Sequence, residues 1–476
     1  MQIISKYRKL SDPAKASIWF TICSILQKGI MFLTTPIFTR MLSTTEYGYY
    51  TVFMSWYAII SIFTTLNLSA GVYNKGLIKF EDKNMLTASF LGLSTFLSII
   101  TLIIYLPFRE YFNGLLELTT PFVILIFIES IFQPAFLLWS VGERFDYKYK
   151  KLVIVTLIIS VLNPGLGVFL LHIFGKEAIW RVVAYVVTDV VVGVILGRYI
   201  FLKGKTLFNV MYWKYALKFN LPLIPHYLSM TLLNQADRLM INSMVGSSQA
   251  AIYSIAFTIS SMMSVITTAI NGSFIPFSYK SLKEKQYLSI GGVANQLLLI
   301  IAVLCTGTML FGPELIWVVG GEKYVDAIWI IPPVAASVYF MFLYPLFGNI
   351  EFYYEKTKYV MIASCIGSVA KILLNYICIP IFGYLSAGYT TLLCYILFSL
   401  GHYFFYRKIC KEQEIEEDIY NIKMIFLVSV VMLIVMGLMT LLYKSVALRY
   451  SVIFILLIIL IVKRKYVIAS IRSIKR

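Results

Sequence analysis

The chain has 476 residues, of which 59% are hydrophobic and only 13% charged, with a formal net charge of +18 and a mean hydropathy of +0.82. A water-soluble globular protein of this length does not carry that composition, so soluble-enzyme and soluble nucleic-acid-binding classes are excluded at the outset. What remains is a polytopic membrane protein, all-α because only a helix satisfies its own backbone inside lipid at these segment lengths.

Apolar runs predict about fourteen transmembrane helices, at 16–38, 49–69, 86–107, 118–140, 152–173, 178–201, 219–243, 250–277, 288–311, 327–349, 359–380, 385–406, 424–443 and 447–462. The polar, basic stretch before the first run is followed by no cleavage site, so that run is expected to stay as its own insertion signal. With both termini cytoplasmic, thirty of the 41 Lys and Arg fall on inner segments and six on the outer side. The basic balance is therefore the positive-inside bias, and no nucleic-acid partner is needed.

"LPLIP" (221–225), "NPG" (163–165) and "IPP" (331–333) place helix breakers at the inner start of span seven, within span five and in span ten, as hinges or as tolerated prolines. A weak repeat at an offset of a little over 200 residues relates "TEYGYYTVF" (45–53) to "SQAAIYSIAF" (248–257), and "IFG" at 173–175 to "IFG" at 381–383. Six spans separate the copies, which implies a parallel pseudo-repeat of two six-helix lobes. The expected domains are residues 1–215, 216–412 and a 413–476 segment with two further helices and a basic tail.

A charge at mid-membrane costs about 2.5–3.5 kcal/mol, so each one present should face a cavity or a partner. Lys28, Glu129, Asp189, Asp237, Arg238 and Lys371 are central, and Arg181 lies nearer the outer end of span six. Lys28 stands between Gln27 and Gly29 and reads as a cavity wall or as the partner of Glu129. Asp237 and Arg238 are about 100° apart on their helix, so they cannot share a neighbour. Asn234 shares the Asp237 face, and Asn375 that of Lys371. The candidate cavity residues are thus Lys28, Arg181, Arg238, Lys371, Gln27 and Asn234; Asp237, Glu129 and Asp189 are candidates for ion coupling or structural pairing. Six cysteines without CxxC spacing, and three isolated histidines, read as packing residues, with no metal site and no cofactor beyond a proton or sodium ion. No nucleophile–base pair or HExxH occurs, so no enzyme is expected.

Four strings carry a resemblance to a known family: "TTPIFTRMLSTTEYGYYTVF" (34–53), "GERFDYKYK" (142–150), "NLPLIPHYLSMTLLNQADRLMINSMVGSSQAAIYSIAF" (220–257) and "GGEKYVDAIWIIPP" (320–333). On these the chain resembles the polysaccharide-transport branch of the multidrug/oligosaccharidyl-lipid/polysaccharide exporter superfamily, the O-antigen and capsule-type flippases. The resemblance implies two six-helix lobes around a cavity open alternately to each side of a bacterial cytoplasmic membrane. It also implies translocation of polyprenyl-diphosphate-linked oligosaccharide repeat units from the inner to the outer leaflet, with lipid and a polysaccharide polymerase as candidate partners. A lipid II or teichoic-acid-type precursor flippase, a cation-coupled drug exporter and a membrane polymerase are the alternatives. The basic excess among central charges disfavours the drug exporter, and the short outer loops disfavour the polymerase.

Overall fold

The computed structural model describes residues 11–462, which form helices and connecting turns with no β-strand among the described residues. The basic extremes, residues 1–10 and 463–476, whose cytoplasmic placement is expected from the charge bias, lie outside the described residues. The helices of the first part are α1 (Asp12–Met41), α2 (Thr44–Thr65), α3 (Gly71–Lys79), α4 (Lys83–Tyr105), α5 (Arg109–Leu116), α6 (Thr120–Phe145), α7 (Tyr149–Ile173), α8 (Ala178–Gly204), α9 (Val210–Asn220) and α10 (Ile224–Met244). Then come α11 (Ser247–Ser261), α12 (Met263–Lys283), α13 (Tyr287–Leu310), α14 (Gly312–Val319), α15 (Ile331–Tyr353), α16 (Thr357–Phe382), α17 (Ser386–Glu412), α18 (Ile422–Leu442) and α19 (Val446–Val462). Every predicted span overlies helix. Ten helical segments among the described residues are long and apolar enough to cross a membrane, and Val446–Ile455 is a shorter apolar stretch. The chain divides into two compact units, residues 1–251 and 252–476, with the division inside α11.

Local chemistry explains the breaks. Pro222 and Pro225 stand at the start of a 3-10 turn (Leu221–Leu223) and of α10, and Pro332 and Pro333 open α15. Proline there forfeits no helical hydrogen bond. Only "NPG" sits inside a helix, where α7 runs through Pro164. The predicted eighth span is two helices, α11 and α12, which break at Met262.

Close packing in the first unit depends on small residues, as expected where lipid supplies no hydrophobic drive between helices. A Cβ added to Gly193 of α8 would stand 2.5 Å from the Phe132 carbonyl oxygen of α6. At Gly48 of α2 it would overlap the Ser247 carbonyl at the start of α11, a junction also held by Ser248 Oγ donating to Thr44 Oγ1 at 2.7 Å. In the second unit α15 is buried along nearly its whole length. Thus α15 is the axis on which that unit is built.

Candidate functional site

The approach at Gly193 decides where two acids meet. Asp189 lies one turn before Gly193 on α8, and Glu129 three residues before Phe132 on α6, so the contact brings their carboxyl groups together, with Tyr185 of α8 and Tyr57 of α2 beside them. Glu129 has no exposed surface; its carboxyl faces Asp189 and Tyr185, but neither of its oxygens is in a well-formed hydrogen bond. The alternative reading of Glu129 as the partner of Lys28 is therefore corrected: Lys28 and Gln27 lie on the exposed side of α1. Membrane charges are expensive, and an unpartnered buried carboxyl is more so.

A second cluster uses the aromatic motif of α2. The guanidinium of Arg181, on α8 and 7% exposed, lies 4.3 Å from the centre of the Phe38 ring and 5.0 Å from that of Tyr50. Its Nη2 makes a long 3.5 Å bond to the Tyr50 hydroxyl, and its Nε and Nη1 have no hydrogen-bond partner. Arg181 thus stays inside the unit instead of reaching for the interface. Tyr47, buried next to Tyr50, feels the charge of both Arg181 and Arg238. Stacked rings hold the cation, and its buried Nε and Nη1 keep a donor capacity that nothing among the described residues of the unit uses.

On α10, Arg238 Nη1 donates to Gln235 Oε1 at 2.7 Å and to the Asn234 carbonyl at 3.0 Å. Gln235 Oε1 also accepts from Ser55 Oγ of α2 at 3.2 Å. Asp237 is fully buried whereas Arg238 and Asn234 are half-buried, which is what a 100° separation demands. Between α2 and α10 lies a polar cavity edged by Ser61, Thr65, Asn67, Tyr227 and Thr231.

In the second unit Lys371 is fully buried, with its ammonium donating to Thr391 of α17. Thr391 is also within 3.1 Å of the Tyr253 hydroxyl, and Asn375 accepts from Thr390. Lys371 and Asn375 do share a face, and it is turned into helix packing.

One sequence reading changes. His402 is not an isolated packing residue: its Nδ1 lies 2.7 Å from Glu351 Oε1, both groups being buried. Glu351 lies beyond the predicted span, which ends at 349, whereas α15 continues to Tyr353. Arg449, within the last predicted span, lies in α19 and bonds Glu314. Tyr47, Tyr50, Tyr57 and Tyr185 were not singled out among 34 tyrosines. Their only available signal was helical spacing from Arg181 and Asp189.

This is a multi-pass helical membrane protein with the fold of superfamily transporters and flippases. Residues 14–282 match the polysaccharide biosynthesis protein family and residues 222–377 the MatE family. The chain belongs to the first, the polysaccharide branch of the multidrug/oligosaccharidyl-lipid/polysaccharide superfamily. A curated protein of the Haemophilus influenzae Lsg locus is 24% identical over 376 residues, covering 75% of this chain and 88% of its own. The lipid II flippase MurJ in an inward closed conformation superposes with a TM-score of 0.64 at 13% identity, over 91% of this chain and 100% of that one. An inward-facing multidrug resistance MATE family transporter does so with a TM-score of 0.61 at 15% identity, over 82% and 96%.

Proposed function

We propose that the protein is a flippase that carries polyprenyl-diphosphate-linked oligosaccharide repeat units from the inner to the outer leaflet of a bacterial cytoplasmic membrane, by alternating access and without catalysing a reaction. The observation that carries this reading is Arg181, buried over two aromatic rings with two guanidinium nitrogens unbonded. With Arg238 nearby it offers positive charge to a diphosphate, which a carrier of cationic drugs has no use for. Lys28 and Gln27, on the exposed side of α1, and Asn234 on α10 are assigned to the same polar path. Lys371 is assigned to the structure of its own unit. Six-helix lobes at 1–215 and 216–412, with a 413–476 appendage and both termini cytoplasmic, complete the scheme.

Glu129 and Asp189 are the proposed coupling site. Two neighbouring carboxyl groups repel when both are charged, and a proton or a sodium ion relieves that repulsion. The buried Asp237 is assigned a structural role. A lipid II-type precursor remains the second reading, favoured by the likeness to MurJ along that protein's entire length. Deleting the protein and identifying the lipid-linked glycan that accumulates on the inner leaflet tests the proposal. Accumulation of an O-antigen or capsule repeat unit supports it, lipid II supports the second reading, and no accumulation removes both.

A further inference from the structure

The "GERFDYKYK" string plays no part in the transport path described above. The structure folds it into a pocket at one end of the first unit, where the α3–α4 segment, the α6–α7 connection and the end of α8 meet. Lys83, Lys148 and Lys203 stand around the opening, with Glu143 and Asp146, while Tyr73, Trp139 and Phe145 form the wall. Asp146 is 2.7 Å from Lys148 and 3.8 Å from Lys83. These segments are the ones the charge bias places on the inner side.

The bases here are held in an unusual way. Lys83 lies 4.8 Å over the Phe145 ring, Lys203 4.5 Å over Tyr199, Lys79 4.7 Å over Tyr215, Lys75 4.9 Å over Phe219 and Arg144 5.0 Å over Phe20. A cation on a ring keeps its charge, and although Asp146 is shared between Lys83 and Lys148, the single carboxylate leaves these two lysines with a net positive charge. In the second unit ion pairs are commoner: Lys356 pairs with Glu412 at 2.8 Å, Arg407 with Asp418 at 2.7 Å and Lys280 with Glu284 at 3.9 Å, while Lys408 lies 5.0 Å over Tyr359. Composition agrees. Inner connections of the first unit (70–85, 141–151, 202–218) hold eleven bases and four acids; those of the second (278–287, 350–358, 407–423) hold nine and eight.

Exposed apolar side chains lie next to the basic rim, among them Ile78, Tyr147, Tyr199 and Leu202. A ligand that satisfies both features needs an anionic head and hydrocarbon tails. We propose that this pocket docks the phosphate headgroup of an anionic phospholipid of the inner leaflet, with the acyl chains lying along the adjacent apolar surface. The site is separate from the Arg181 cluster and does not depend on the substrate assigned to the protein. A bound lipid would anchor the α3, α6 and α8 ends to the membrane surface.

The test uses the full chain in detergent, titrated separately with phosphatidylglycerol, phosphatidylcholine, inorganic phosphate and undecaprenyl diphosphate, and reads bound species by native mass spectrometry. The wild type should retain phosphatidylglycerol over phosphatidylcholine. Replacing Lys83, Lys148 and Lys203 with Gln should weaken that retention about fivefold per lysine, roughly a hundredfold together. Changing Lys280, Lys283 and Lys285 to Gln removes the same net charge from the second unit and should leave it unchanged. Equal loss in both triple variants, or loss in neither, would overturn the proposal. Displacement of the lipid by equimolar inorganic phosphate would make the site one for free anions, and retention of undecaprenyl diphosphate alone would give it to the transport substrate; either result overturns it too. If the first triple variant fails to fold, Lys148→Gln alters a single exposed side chain and should by itself cost about fivefold, with unchanged retention counting against the site.

Discussion

Glu129 gives the sharpest separation of structure from function. Its carboxyl is wholly buried against Asp189 and Tyr185, and neither oxygen is in a well-formed hydrogen bond. An unsatisfied buried polar group costs a protein about 1–3 kcal/mol, and an apolar side chain of similar shape avoids that cost. Glu129→Met should therefore stabilise the first unit by about 1–3 kcal/mol. At about 2–4 °C per kcal/mol for a unit of this size, the thermal midpoint in detergent should rise by several degrees. The same variant should lose gradient-driven glycolipid translocation in proteoliposomes, because the site for the coupling ion is gone. Gain of stability with loss of transport is the signature of a group kept for function at a structural cost. A Met variant that melts below the wild type, or one that carries glycolipid at the wild-type rate under a pH or sodium gradient, would refute this reasoning.

Other outcomes follow from particular contacts. Gly193→Val should push α8 away from the Phe132 carbonyl, destabilising the unit by about 1–3 kcal/mol and lowering transport through the separation of Asp189 from Glu129; chemical-denaturation midpoints and flux would check both. Arg181→Gln should leave membrane abundance near normal while weakening glycolipid binding at least tenfold in a titration, with Arg181→Lys recovering only part, because a lysine lacks the planar stacking and the fork of donors. Unchanged affinity in the Gln variant would remove Arg181 from the site. Single cysteines at positions 209 and 418 should react with a membrane-impermeant reagent only after the inner side is opened, and labelling from outside would contradict the topology.

Hydropathy was enough to find the helices, because a run of about twenty apolar residues has few other structures open to it in lipid. It was less able to place their ends. Glu351 falls outside the predicted span 327–349 and is in the last turn of α15. Polar residues at a helix end lower the hydropathy without ending the hydrogen-bond ladder. The prolines at 222 and 225 were legible at the start of a span, whereas 332 and 333, inside predicted span ten, open a helix, since that depends on which side of the proline the chain resumes packing.

The charged candidates were visible because charge is rare in such a chain, and the company they keep was not. Glu129 and Asp189 are 60 positions apart, and only the close approach of Gly193 to Phe132 joins them. Lys371 looked like a cavity residue by depth alone. Its burial against Thr391 depends on which face of α16 turns to α17, and one helix's sequence leaves that open. Tyr50 and Phe38 likewise become a cation platform only once α8 is packed against the ends of α1 and α2.

The measurement that bears most directly on the central claim is translocation by purified protein. Proteoliposomes would be given a fluorescent undecaprenyl-diphosphate oligosaccharide on one face and, in a parallel set, cationic dyes in the lumen. Movement of the glycolipid to the opposite leaflet, with no dye efflux and with activity lost in Arg181→Gln, is the predicted result; dye efflux without glycolipid movement would contradict the account.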